Sequence, residues 1–133
     1  MKTITKSTNF EMTPSISEYV EKKLESLNKF IDPNDESVIV RVELGKSSNH
    51  HRSGDIFRVE INVSGAHKDA RAVAEREDLY SAIDEVKDSI LAELRSKKEK
   101  QQHFIRRGSQ KLKNLMKGFW NGAKKGKGEN TDL

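Results

Sequence analysis

At 133 residues the chain suits one domain with a tail, and 33% apolar against 35% charged residues means a small core under a heavily charged surface. Cysteine is absent, which excludes a disulfide framework and a thiolate metal site. No apolar run matches a signal peptide or the ~20 residues of a bilayer span, so a cytoplasmic protein is expected. The net charge of +4 is unevenly spread: residues 1–100 hold 17 Lys and Arg against 19 Asp and Glu, and residues 101–133 hold 8 against 2. A body of net charge −2 binds a polyanion only by collecting its cations on one face.

Lys2 to Thr8 is rich in β-branched residues and reads as a short strand. Thr13 is a good N-cap and Pro14 suits the first helical position. Ile16, Val20, Leu24, Leu27 and Ile31 then recur at helical spacing, until Asp32-Pro33 ends the helix. Val38, Val40, Val42 and Leu44 alternate with polar residues, as do Phe57, Val59, Ile61 and Val63, so both runs are predicted as half-buried strands. Gly45 to Asp55 is read as the loop between them, and Ser64-Gly65 as a turn. Ala70, Ala72 and Ala74 mark a last strand, expected at an edge. Leu79, Ile83, Val86, Ile90 and Leu94 form a second apolar helical stripe that opens at Asp78 and runs past Lys100. The predicted order is β-α-β-β-β-α, an α+β fold with a four-stranded sheet and two helices packed on one face. Residues 1–100 form the expected domain and 101–133 a basic, flexible tail.

The cations are partly sorted. Lys22, Ser26 and Lys29 fall on one helical line, Lys23 sits at the edge of the apolar stripe, and Glu18, Glu21 and Glu25 lie toward the other side. His67, Lys68, Arg71 and Arg76 precede the second helix, and Lys87 projects from it. With the helices side by side, these groups are expected to border one groove suited to phosphate oxygens. The competing reading is an ordinary solvated face with pairs such as Glu18–Lys22 and Glu25–Lys29. His50, His51, His67 and His103 lack metal-ligand spacing, and no Gly-rich phosphate loop or nucleophile-base pairing occurs. Neither cofactor, metal nor catalytic residue is expected. Glu43 and Glu60 are accounted for by the polar face of the sheet.

In the tail Leu112, Leu115, Met116 and Phe119 fall at helical spacing beside Trp120, among Arg106, Arg107, Lys111, Lys113 and Lys117. The pattern is that of a short basic amphipathic helix, able to meet RNA, a protein groove or an anionic membrane. Gly118, Gly122, Gly126 and Gly128 argue for a terminus that orders only on contact.

These segments together resemble the ribosome hibernation-promoting factor family, which includes the ribosome-associated inhibitor. The resemblance covers roughly residues 2 to 98. It rests on Tyr19-Val20-Glu21-Lys22-Lys23-Leu24 in a Thr-Pro-led helix, on the central strands, and on Ala74-Glu75-Arg76-Glu77-Asp78-Leu79-Tyr80-Ser81-Ala82-Ile83-Asp84. It implies a fold similar to double-stranded RNA-binding domains and a protein that occupies the mRNA and tRNA channel of the small ribosomal subunit near the decoding centre. Such proteins hold ribosomes inactive under stress or in stationary phase. The rRNA contacts then fall on Lys22, Lys23, Lys29, Lys68, Arg71, Arg76, Lys87, Lys97 and Lys98, with tail contacts from Arg106, Arg107, Lys111, Lys113, Lys117, Phe119 and Trp120. The family usually places a basic residue at the position of Ser89 and Gln at that of Glu93. The chain reads as a short form, without the family's C-terminal dimerisation domain. The implied partners are the small subunit and the assembled ribosome, with no small-molecule substrate and no membrane, and a monomer when free. The alternative is a general double-stranded RNA-binding or RNA-chaperone domain.

Overall fold

The computed structural model describes residues 1–48 and 54–128, with side chains described for 1–47 and 54–118. The elements are β1 (Lys2–Thr8), α1 (Pro14–Leu24), a 3-10 helix (Glu25–Lys29), β2 (Ile39–Ser48), β3 (Asp55–Ser64), β4 (Ala70–Arg76) and α2 (Leu79–Gly128). The sheet is mixed and ordered β1-β2-β3-β4: β1 pairs parallel with β2, and the remaining pairs are antiparallel. The expected β-α-β-β-β-α order holds.

Alternation decides which side of the sheet each residue serves. Val38, Val40, Val42 and Leu44 of β2 and its approach, Val59, Ile61 and Val63 of β3, and Ala70, Ala72 and Ala74 of β4 are buried together. They meet Val20, Leu24, Leu27 and Ile31 from the first helical segment and Leu79, Ala82, Ile83, Val86, Ile90 and Leu94 from α2. The alanines of β4 belong to this core, as does Ala82 of α2, which is fully buried. The opposite face carries Arg41, Glu43, Arg58, Glu60, Asn62 and Arg71.

Helix starts follow local chemistry. Thr13 caps α1, its Oγ1 accepting from the Ile16 N–H at 3.2 Å, with Pro14 in the first turn. Asp78 caps α2, its Oδ2 accepting from the Ser81 N–H at 3.0 Å and hydroxyl at 2.8 Å. Gly65 is required where it stands. Its φ is +104°, and a Cβ there would lie 2.1 Å from the Ser37 carbonyl oxygen.

Two boundaries differ from expectation. The first helix tightens into 3-10 geometry after Leu24, where the apolar spacing shortens to three at Leu27, matching three residues per turn. The strands reach Ser48 and begin again at Asp55, so polar residues read as loop pair across β2 and β3; Lys46 and Asp55 close that end with a 3.1 Å ion pair. The helix expected to run past Lys100 continues through Gly128. The chain divides into two compact units, Met1–Lys97 and Lys98–Leu133.

Candidate nucleic-acid interface

The Asp78-to-Asp84 motif that identifies the chain acts structurally. Tyr80 meets Tyr19 edge to face, with ring centres 4.8 Å apart. The Tyr19 hydroxyl donates to Asp84 Oδ1 at 2.6 Å, and Lys23 Nζ reaches the same oxygen at 3.3 Å. That hydroxyl, then Lys23, hold the Asp84 carboxyl below the usual range despite partial desolvation. The same bond raises Tyr19, and Asp84 also raises Lys23. Farther along, the Arg95 guanidinium lies 6.0 Å from the Phe30 ring centre. Contacts from Tyr19 to Phe30 thus meet contacts from Tyr80 to Arg95 in rising order, so the first helical segment and the first part of α2 run side by side in the same direction.

On this frame the expected cations separate into spent and unspent. Lys23 is committed to Asp84 and lies over the Tyr19 ring. Arg76 Nε donates to Glu85 at 2.9 Å, and Lys87 pairs with Asp88 at 2.7 Å. Lys22 and Lys29 are exposed, Lys68 and Lys97 are half-buried, and none of the four has an ion pair among the described residues. The anticipated pairs Glu18–Lys22 and Glu25–Lys29 do not form. The 3-10 helix does shift the expected line: at 120° rather than 100° per residue, four residues carry Lys29 roughly 80° beyond the helical path through Lys22. Arg95 was absent from the expected contacts; its sign was its exposed position just after Leu94 on α2.

Arg71 does not belong to the groove. Ala70, Ala72 and Ala74 face the core, so Arg71 must point to the other side of the sheet. There it grips Glu60 with two bonds, 3.2 Å from Nε and 3.0 Å from Nη2. Arg58 adds a 3.0 Å bond and Asn62 donates as well. Arg71 first, then Asn62 and Arg58, hold the Glu60 carboxyl at about 2, against the opposing effect of desolvation. Nor do Lys68 and Arg76 meet: they flank opposite ends of β4, whose six residue steps span roughly 20 Å. The single groove joining all these groups is therefore corrected to a smaller helix-face set.

Ser89 is exposed, and Glu93 lines a shallow cleft with Asp69 and Arg71. Lys98 begins the second unit, where Arg106, Arg107, Lys111, Lys113 and Lys117 are exposed. The side chains of Phe119 and Trp120 lie outside the described residues, as do His50 and His51. Among the described residues no cluster of His, Asp and Glu could hold a metal ion, and no helix is long and apolar enough to cross a membrane.

Fold and site define an α+β domain whose paired helices present unspent cations beside others committed to acidic partners. Residues 3–102 match the family described as Sigma 54 modulation protein / S30EA ribosomal protein. The chain belongs to this family, that of the hibernation-promoting factors its motifs resemble. A curated relative, the ribosome hibernation promotion factor of Picosynechococcus sp., is 35% identical over 100 residues, covering 75% of this chain and 50% of the relative. The chain thus spans half that relative's length. The Thermus thermophilus Protein Y N-terminal domain superposes with a TM-score of 0.58 at 29% identity, covering 71% of this chain and 96% of that one. A ribosomal subunit interface protein from Coxiella burnetii shares the fold, with a TM-score of 0.58 at 21% identity over 74% of this chain and 99% of that one.

Proposed function

We propose that this protein is a ribosome-associated hibernation factor of the cytoplasm, acting as a monomer without chemistry of its own. It binds the small subunit across the mRNA and tRNA positions near the decoding centre and keeps ribosomes inactive under stress. The observation that carries the reading is the family match over residues 3–102 on a domain whose helix face bears unspent cations. Lys22 and Lys29, with Arg95, Lys68 and Lys97, supply positive charge to rRNA phosphates without reading sequence. Inhibition is steric: the bound domain and mRNA or tRNA exclude each other. Arg71 has no part in the contact, Lys23 and Arg76 act mainly by tying elements together, and Lys87 is paired within α2. The tail cations are not needed for this reading.

Sedimentation with purified ribosomes through a sucrose gradient tests it. Co-migration suppressed by prior loading of mRNA and tRNA is the expected result. Co-migration indifferent to them, with equal affinity for naked duplex RNA, would favour the general RNA-binding alternative. Phosphate-dominated binding also weakens steeply with salt, by roughly 10³–10⁵ between 50 and 200 mM if six to ten phosphates are neutralised.

A further inference from the structure

The second unit carries an exposed apolar surface that phosphate binding does not use. Phe104, Ile105, Leu112, Leu115 and Met116 are between 59% and 77% exposed. At about 100° per residue they share one arc of roughly 120° with Gly108. Lys113 and Arg106 flank one side of that arc and Lys111 and Arg107 the other, while Lys117 falls near the middle of the polar face. Beside Lys117 on the polar face, Gln110 donates to Asn114 Oδ1 at 3.1 Å. No acidic residue occurs between Gln101 and Gly128.

This arrangement selects among occupants. RNA would satisfy the cations and leave Ile105, Leu112, Leu115 and Met116 in water. A second copy would bring like charges together along both borders of the arc. An acidic protein groove takes a narrow row of anchors at i, i+3, i+4 and i+7 and needs no cations on both sides. A lipid surface with anionic headgroups meets every feature: the arc sinks into the acyl boundary, and long cationic side chains on both borders reach up to phosphates on either side. The lack of a spanning segment among the described residues does not bear on this, because a helix lying in the surface plane needs none. We propose that residues 104–118 form an amphipathic helix that binds anionic lipid bilayers in the plane of the interface.

The test uses the full chain with vesicles of phosphatidylcholine alone or mixed with phosphatidylglycerol, separated by flotation. The protein is expected to float with the mixed vesicles and to stay behind with the neutral ones. Leu112→Gln with Leu115→Gln removes exposed side chains, so the fold of the first unit is untouched. This variant should lose at least about tenfold in affinity for the mixed vesicles while sedimenting with ribosomes as the wild type does. Lys113→Gln with Lys117→Gln should weaken the preference for phosphatidylglycerol. Failure to float with the mixed vesicles would overturn the proposal. So would wild-type flotation of the leucine variant, or loss of its ribosome binding without loss of flotation, which would give the arc to RNA. None of these vesicle results depends on the ribosomal reading of the first unit.

Discussion

The two units treat charge and apolar surface in opposite ways. In Met1–Lys97 most large aliphatic side chains are buried, and half of the expected site cations have an acidic partner: Lys23 with Asp84, Arg71 with Glu60, Arg76 with Glu85, Lys87 with Asp88. In Lys98–Leu133 the described apolar side chains are exposed, and from Gln101 to Gly128 the cations have no acidic residue among them. Net charge therefore misleads in both directions. The first unit is slightly acidic yet keeps a few unspent lysines on its helix face. The strongly basic second unit carries as much apolar surface as charge on its helix.

The sharpest way to break this contrast is to truncate one aliphatic side chain in each unit. Ile90→Ala, at a fully buried position, should cost about 2–5 kcal/mol in urea unfolding. Leu115→Ala, 72% exposed, should stay within about 0.5 kcal/mol. Equal effects would mean that the second unit buries Leu115 after all.

A smaller effect comes from the Glu60 cluster on the open face of the sheet. Its carboxyl falls from an ordinary 4.5 to about 2 in the folded state. Because the folded value is the lower one, the stabilisation is fully present above pH 4.5 and is lost as pH falls toward 2. The loss should be on the order of 2 kcal/mol, since the Glu60 side chain is only 12% exposed. Urea unfolding of wild type and Glu60→Gln across that range checks it: the two curves should converge at the acid end. Curves that stay parallel would remove the cluster from the stability of the sheet. Smaller still is Tyr19→Phe, which removes the hydroxyl bond to Asp84 and should cost about 1 kcal/mol while sparing the ring contact with Tyr80. A null result in unfolding would show that Lys23 alone satisfies Asp84.

Much of the fold was legible because each element repeats its own period. The Thr13-Pro14 start, the valines of β2 and β3 and the Leu79-to-Leu94 stripe all point the same way. The faces of β4 were legible too: the alternation at Ala70, Ala72 and Ala74 already sends Arg71 away from the helices, and grouping it with Lys68 by nearness in sequence overlooked this. Other features needed coordinates. Whether Lys22 or Lys87 is paired depends on rotamers and on neighbouring acids, which periodicity does not specify. The contact of Arg95 with Phe30 follows from the helix–helix register, which periodicity within one element does not give. The end of α2 was not legible because glycines at 118, 122, 126 and 128 lower helix propensity without ending this helix.

The central claim is that unspent helix-face lysines, and not every cation of the first unit, carry the ribosome contact. Co-sedimentation with ribosomes of Lys22→Glu combined with Lys29→Glu, run beside Arg71→Gln, tests it most directly. The account predicts that the double reversal abolishes co-sedimentation with folding intact, while the Arg71 variant binds as the wild type does. Wild-type occupancy by the double variant, or loss of binding on Arg71→Gln alone, would contradict it.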